Sequence, residues 1–256
     1  MKKNTIALSV LSIMLLAGCN ETEYRDNPIP VDANTRGFWT LSSTEDCELS
    51  DYCYVDYSEY NSKLYPIDSG DRMLTAPEAK NAEVSVSGRL ENAIKLVPFM
   101  DDQGQMEGQP RLQTDQYSDF ESRPLGDEFT IQIRATGEEG SILSLWNDDG
   151  LGLHLEIIDD VFMATFEQHQ RKLFTNIKDA DFHELMLRSD GTTVTLTHAC
   201  EQVAEFTRTP GQPILSSAPL KLTAYEMRGG YTEASQYIGA IDMIRISDRF
   251  ESNVFC

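Results

Sequence analysis

The sequence lacks any apolar run long enough to cross a membrane as a helix, because the hydrocarbon core of a bilayer takes roughly 20 apolar residues. The longest run, residues 6–16, has 11 residues and follows Lys2 and Lys3. A basic start before a short apolar run is typical of an export signal. The sequence therefore predicts an exported protein.

Basic residues are also scarce. The chain has 21 Lys and Arg against 42 Asp and Glu, which gives a formal net charge of −21. The export signal carries two lysines and no acid, so its removal leaves −21 − 2 = −23. Charge of this sign disfavours binding to nucleic acid and to anionic lipid surfaces. It leaves carboxylates available for cations, although a solvated acidic surface is the simpler explanation.

Cysteine is rare, with five residues in the chain, and the first of them ends the apolar run. The ending Leu16-Ala17-Gly18-Cys19 resembles the lipobox of bacterial lipoproteins. The resemblance implies that residues 1–18 are a signal peptide and that Cys19 becomes the acylated first residue, where two or more acyl chains give stable anchoring. Asn20, in place of an Asp, implies the outer membrane. An ordinary secretory signal that ends at a cysteine is the alternative.

Four further cysteines form an even number in the oxidising compartment of an exported protein. They are Cys47, Cys53, Cys200 and Cys256. Cys47 and Cys53 are close enough for a small local loop, and Cys200–Cys256 would then tie the last residue to the body of the chain. A zinc site is the alternative, since His198 lies two residues from Cys200.

From residue 129 onward, apolar and polar residues alternate. Four stretches show this pattern: FTIQIRA (129–135), LGLHLEI (151–157), TVTLT (193–197) and LKLTAY (220–225). A period of two predicts half-buried strands. Asp159-Asp160 and Asp190-Gly191 lie between such stretches, and an Asp-Gly pair is a strong hairpin signal. Short strands at this spacing predict an all-β sandwich or barrel.

Three segments lack the alternation. Residues 20–36 are polar with two prolines, so residues 19–36 are predicted to be a lipidated tether. Residues 76–82 predict one turn of helix. Residues 100–127 have few large apolar side chains and predict a long connection, of a kind that is often functional or disordered. The folded domain is predicted over residues 37–256.

Several stretches resemble laminin G-like domains of the concanavalin A-like superfamily. FHELMLRSDGTTVTLTHAC (182–200) resembles the family's strand–turn–strand, and YIGAIDMIRISDR (237–249) resembles its closing strand. GRLENAIKL (88–96) and GFWTL (37–41) match more weakly. The resemblance implies an all-β, antiparallel two-sheet jelly-roll sandwich with one concave sheet. Such folds host binding modules and enzymes alike, so the fold does not give the function.

Catalytic motifs are missing from the sequence. EIIDDV (156–161) lacks the third acid and the strand parity that the paired carboxylates of a retaining glycoside hydrolase require. HELML (183–187) has leucine where the zinc motif His-Glu-x-x-His needs its second histidine. An enzyme is therefore the alternative function, as a polysaccharide-active hydrolase or lyase with a divergent active site.

A tyrosine-rich stretch is the predicted ligand site. It contains Tyr52, Tyr54, Tyr57 and Tyr60. Tyrosine offers a flat apolar face with a hydroxyl, which suits sugar rings or a protein surface, although these rings could instead pack along an alternating strand. The sequence thus predicts a lipid-anchored envelope or surface binding module that recognises a glycan or a protein partner. A structural subunit of a surface assembly is a further alternative.

A structural calcium ion is predicted at Asp242. Asp242 is in phase with Ile244 and Ile246 while Ile241 is not, so either the strand bulges there or one residue points the wrong way. In some relatives the matching aspartate binds calcium, which prefers carboxylate and carbonyl oxygens, and the resemblance implies the same here. Pairing with an arginine or with backbone N–H groups is the alternative. Asp148 and Asp149 are a second candidate.

The lipid anchor is tested by the substitution Cys19→Ala. Because no thiol is then left to acylate, we expect the variant to move to the aqueous phase when membranes are partitioned in detergent, while the parent chain stays in the detergent phase. A variant that still fractionates with the membrane would exclude Cys19 as the anchor.

Overall fold

The computed structural model describes residues 31–47, 49–68, 72–88, 92–100, 103, 106–115, 120, 123, 125–146, 152–166, 171–177, 179–208, 219–223 and 236–251. Within these ranges the regular secondary structure is almost entirely strand, and the structure defines one short helix there, α1 (Ala76–Asn81). No helix in this part of the chain has the length and hydropathy to span a bilayer. The strands are β1 (Thr35–Trp39), β2 (Thr44–Glu45), β3 (Cys53–Tyr54), β4 (Leu64–Ile67), β5 (Glu83–Ser87), β6 (Asn92–Leu96), β7 (Phe99–Met100), β8 (Met106–Gly108), β9 (Arg111–Thr114), β10 (Glu128–Thr136), β11 (Gly140–Trp146), β12 (Gly152–Ile158), β13 (Val161–Phe166), β14 (Arg171–Asn176), β15 (Phe182–Asp190), β16 (Thr193–His198), β17 (Glu201–Thr207), β18 (Lys221–Leu222) and β19 (Ala240–Ser247).

Two antiparallel sheets pack face to face as a sandwich, as the sequence predicts. Sheet A has the order β17-β16-β15-β10-β19-β6-β5, with β1 also paired to β19. Sheet B has the order β14-β13-β12-β11-β18-β9-β4-β3-β2. Strands β7 and β8 form a separate hairpin.

The apolar residues of the predicted alternating stretches fill the space between the sheets. On β10 the inner side chains Phe129, Ile131, Ile133 and Ala135 are all buried. In sheet B the inner residues align across strands in one row: Leu112, Leu222, Leu143, Leu155, Ala164 and Leu173. Because strand side chains alternate with a period of two, this row fixes which residues of sheet B face outward.

Local signals place the turns and the helix where the sequence predicts them. Asp159 and Asp160 join β12 to β13 with φ angles of 50° and 61°, the positive values that a two-residue hairpin turn of type I′ requires. The Asp190 carboxylate accepts hydrogen bonds from the backbone N–H groups of Thr192 and Thr193. At the start of α1, the Thr75 N–H donates to Glu78 Oε2 at 2.9 Å.

Two predicted boundaries differ from the structure. Strand β1 begins at Thr35, so the sandwich includes two residues that the sequence assigned to the tether. The predicted connection 100–127 contains β9, which lies inside sheet B between β4 and β18, and Phe120, which is buried in the core. Strand β9 has no detectable alternation in the sequence, because Leu112 is the only apolar residue in this four-residue strand.

Strand β19 is buried along its whole length. Ile241, Ile244 and Ile246 belong to the core between the sheets. Arg134 of β10 pairs with Met243, while the next residue, Ala135, pairs with Ile241. Asp242 is therefore the extra residue of a β-bulge, one of the two arrangements that its sequence phase allows.

A buried ion pair joins β19 to the segment that follows it. Arg245 Nη1 lies 2.6 Å from Glu251 Oε2, with only 2% and 7% of the two side chains exposed. Arg245 also donates to Thr35 Oγ1 of β1, and the Glu251 N–H donates to Thr130 Oγ1 of β10. Residues 248–251 are thus held against the outer face of sheet A.

Breaking this pair on one side should destabilise the domain. In Glu251→Leu the Arg245 guanidinium stays buried without a carboxylate, so we expect the free energy of unfolding in urea to fall by about 3–5 kcal/mol. The double variant Arg245→Met/Glu251→Leu buries no charge and should recover most of that loss. Unchanged stability of the single variant would show that the pair does not hold the segment.

Candidate functional site

Tyr52 and Tyr54 lie in the core. Tyr54 is 0% exposed and Tyr52 is 8% exposed, and their rings pack edge to face with centroids 5.9 Å apart. The Tyr52 hydroxyl donates to Glu83 Oε2 at 2.7 Å, and burial raises the pKa of both tyrosines well above the ordinary value. In this conformation their rings pack the sandwich and offer no face to a ligand.

Tyr57 and Tyr60 are half-buried at the surface. Tyr57 packs on Phe38 with ring centroids 5.9 Å apart and donates to Ser43 Oγ at 2.6 Å. The guanidinium carbons of Arg36 and Arg123 lie 5.7 and 5.2 Å from the Tyr60 ring centroid. Of the four predicted tyrosines, these two remain able to contact a ligand.

The local disulfide forms as predicted, between Cys47 and Cys53, with the Cα atoms 6.2 Å apart. Glu45 lies beside the two sulfurs, but sulfurs bonded to each other are not thiolate ligands for zinc. Cys200 follows β16 in a turn with a φ of 71°. Cys256 lies outside the described residues, so the Cys200–Cys256 pairing stays a prediction. Cys19 lies outside them as well.

Asp242 is fully buried and faces an arginine. Arg134 Nε lies 2.9 Å from Asp242 Oδ2, and a Cβ at Gly88 would collide with the carboxylate. The arginine partner is one of the alternatives that the sequence left open, and it balances the charge that a calcium ion would otherwise balance. The residues around Asp242 therefore do not favour calcium. Asp148 and Asp149 lie outside the described residues.

Sequence reasoning missed a patterned surface on the outer face of sheet B. The first cross-strand row, from β11 to β14, is Ser141, Glu156, Met163 and Phe174. The second, from β18 to β14, is Lys221, Ser144, His154, Thr165 and Lys172. Both rows are buried towards the centre of the sheet and reach solvent at β14.

Three buried polar residues lie on this face, towards the centre of the sheet. Ser141 Oγ and His154 Nε2 share a hydrogen bond of 2.8 Å, and His154 Nδ1 lies 3.8 Å from Glu156 Oε2. Burial raises the pKa of the Glu156 carboxyl, and the charge of Lys172 opposes that rise. A serine, a histidine and a carboxylate in this order resemble a nucleophilic triad. However, Ser141 is fully buried, so the group acts as a hydrogen-bonded support.

The accessible part of the rows lies at the outer edge of sheet B, and we call it the β14 patch: Phe174, Met163 and Lys172, with the largely buried Glu156 at its inner border. Phe174 is 63% exposed and lies directly opposite half-buried Met163. Lys172 is exposed in the adjacent row, and Glu156 reaches the surface in part. The patch thus combines an aromatic face with a cation and a carboxylate.

The sequence did contain a weak signal for this patch. Leu173 and Phe174 are adjacent, so only one of them can face the core in a strand. The alternation Lys172, Phe174, Asn176 marks the polar face of β14. This alternation puts Leu173 in the core and the larger, aromatic Phe174 in solvent. Size and hydrophobicity alone would favour the opposite assignment.

Comparison with known proteins identifies the fold. No protein-family description and no curated protein sequence matches the chain. The binding domain of botulinum neurotoxin DC, solved in complex with rat synaptotagmin II, aligns over 86% of this chain and 49% of its own, with a TM-score of 0.57 and 9% identity. Botulinum neurotoxin type C, whose cell entry depends on interaction with two ganglioside molecules, aligns over 91% of this chain and 50% of its own, with a TM-score of 0.57 and 9% identity.

The binding domain of Paraclostridial Mosquitocidal Protein 1 aligns over 86% of this chain and 50% of its own, with a TM-score of 0.55 and 12% identity. The chain thus spans about half the length of these structures. The TM-scores show a shared sandwich fold. At identities this low the fold does not indicate the ligand, which has to be argued from this chain's own residues.

Thermal melting in calcium and in chelator tests the predicted ion at Asp242. Because Arg134 already pairs with the carboxylate, we expect equal midpoints. Calcium at about 100 times its dissociation constant would add about 2.7 kcal/mol, which raises the midpoint by roughly 5–10 °C for a domain of this size. A rise of that size in the parent chain that is absent in Asp242→Ala would place calcium at this residue.

Proposed function

We propose that the chain is a lipid-anchored binding module of the bacterial cell envelope that recognises a glycan through the β14 patch. The observation that carries the proposal is the exposed Phe174 ring, held on a sheet beside Lys172 and Glu156. The predicted tyrosine site contributes only Tyr57 and Tyr60 as partly exposed rings, and it is the second candidate surface.

The chemistry of the patch matches that of a sugar ring. A pyranose has an apolar face of C–H groups that packs on an aromatic ring, and hydroxyls around its rim that exchange hydrogen bonds with charged side chains. Phe174 offers the aromatic face, Lys172 donates, and the Glu156 carboxylate accepts. A glycan that carries a carboxylate would also be attracted to Lys172.

Rigidity favours the same surface. A binding group on a sheet, supported by hydrogen bonds beneath it, loses less conformational entropy on binding than one on a loop. Glu156 has a fixed neighbour on the same face, because His154 lies 3.8 Å from its carboxylate and shares a hydrogen bond with Ser141. The side chains on the outer face of sheet A are less accessible, since Thr130, Gln132 and Met243 are buried.

The structures with the same fold support a binding role rather than catalysis. Two of them are toxin binding domains, one of which is in complex with synaptotagmin II, and the third belongs to a neurotoxin whose cell entry depends on two ganglioside molecules. For this chain we take the glycan as the ligand because the patch has one aromatic ring among charged groups. A protein partner is the alternative outcome.

The proposed anchor gives this binding a location. Cys19 would carry the acyl chains in the outer membrane, and the polar segment before β1 would separate the sandwich from the bilayer. The net charge of the mature chain, −23, keeps the domain away from anionic lipid surfaces. The module would therefore face soluble or wall-bound glycans and not the membrane that holds it.

A glycan array with the full-length chain in detergent tests the proposal. We expect selective binding to one glycan class, and Phe174→Ala should weaken it by about tenfold, because ring stacking and burial contribute about 1.4 kcal/mol or more. Val84→Ala, which trims an exposed apolar residue of sheet A, is the matched control and should bind normally. Loss of binding in Tyr60→Ala instead would place the ligand on the tyrosine-rich stretch, and an array without binding would exclude the glycan.

A further inference from the structure

Two histidines face each other at one end of sheet A. His198 is the last residue of β16 and pairs in register with Leu185 of β15. His183 lies two positions before Leu185, so both imidazoles are on the inner face of the sheet. His183 Nδ1 is 3.0 Å from His198 Nε2, and both rings are half-buried.

Neighbouring groups fix the orientation of both rings. Asp179 Oδ1 lies 3.0 Å from His183 Nε2, and the Asp179 carbonyl oxygen lies 3.3 Å from the same nitrogen. These acceptors assign the proton to Nε2 and leave a lone pair on Nδ1. His198 Nδ1 lies 3.5 Å from Thr175 Oγ1 of β14. A carboxylate on the far nitrogen of a histidine is the arrangement that proteins use to orient metal ligands.

We propose that His183 Nδ1 and His198 Nε2 together bind one divalent transition-metal ion, with zinc as the ion that these ligands favour. A Zn–N bond is about 2.0–2.1 Å long, so two cis nitrogens are about 2.9 Å apart at a right angle and about 3.3 Å apart in a tetrahedron. The observed 3.0 Å lies between these values. The ion would replace the proton that the two nitrogens now share.

Binding would require both rings to turn, so that their lone pairs converge on one point beside the N···N line, together with a tautomer change in His198. Its proton would move from Nε2 to Nδ1, where the hydroxyl oxygen of Thr175 can accept it. Imidazole nitrogens bind zinc, copper or nickel in preference to calcium and magnesium, which prefer oxygen ligands.

The surroundings leave room for further ligands. The Asp179 side chain is 59% exposed, so water can reach this end of the sandwich. Glu201 of β17 pairs directly with His198 and is exposed, which puts a carboxylate on the neighbouring strand. The ion would join β15 to β16 where β14 of sheet B approaches them. This site is independent of the proposed glycan surface and of Asp242.

Zinc titration by calorimetry tests the site, using the full-length chain in detergent without a polyhistidine tag. We expect one zinc ion per chain with a dissociation constant in the micromolar range. His183→Asn and His198→Asn should each weaken binding by more than tenfold, and Asp179→Asn, which keeps both ligands, by about tenfold. His169→Asn removes a histidine outside the pair and is the matched control. No binding up to about 1 mM zinc, or equal binding after both substitutions in the pair, would overturn the proposal.

Copper provides a readout that does not depend on the folding of any variant. Cu²⁺ added to the parent chain should give an electron paramagnetic resonance spectrum that shows superhyperfine splitting from two imidazole nitrogens. Splitting from one nitrogen or from none would contradict joint binding by His183 and His198.

Discussion

The structure depends on a strand that is buried on both faces and carries two charges. Strand β19 pairs with β10, β1 and β6 and supplies three isoleucines to the core. Its Asp242 and Arg245 are equally buried, and an isolated charge in such a place is too costly to keep. Each charge therefore needs a partner, and the chain supplies Arg134 for one and Glu251 for the other.

These two ion pairs affect the rest of the molecule. Glu251 brings residues 248–251 across the outer face of sheet A, where the Arg188 guanidinium donates to the Glu251 carbonyl oxygen. The centre of that face is thereby covered by the protein's own chain. On sheet B the outward rows open to solvent towards β14, where the candidate glycan surface lies.

Much of the fold could be predicted because its determinants are local. The alternation in residues 129–135 is the full face pattern of β10, and Asp159-Asp160 adopts the positive φ angles that its composition favours. The phase conflict at Ile241 and Asp242 allowed either a bulge or a residue that points the wrong way, and the pairing of β19 with β10 shows the bulge. The six-residue separation of Cys47 and Cys53 favoured their pairing. The turn at Ala199 and Cys200 has the same backbone geometry without any turn residues, so it gave no signal.

The candidate site was harder to predict because exposure is not a local property. A tyrosine-rich stretch is compatible with a binding surface or with a core, and sheet packing placed Tyr54 at 0% exposure and Phe174 at 63%. His183 and His198 are 15 residues apart, and only the register of β15 with β16 brings their nitrogens together. By itself the sequence determined several strands after residue 129, several turns and one disulfide, since these depend on side-chain alternation, φ preference and short chain separation. Only the tertiary structure decided which aromatics meet water, which charges pair and which histidines meet, because these depend on contacts between strands that are distant in the sequence.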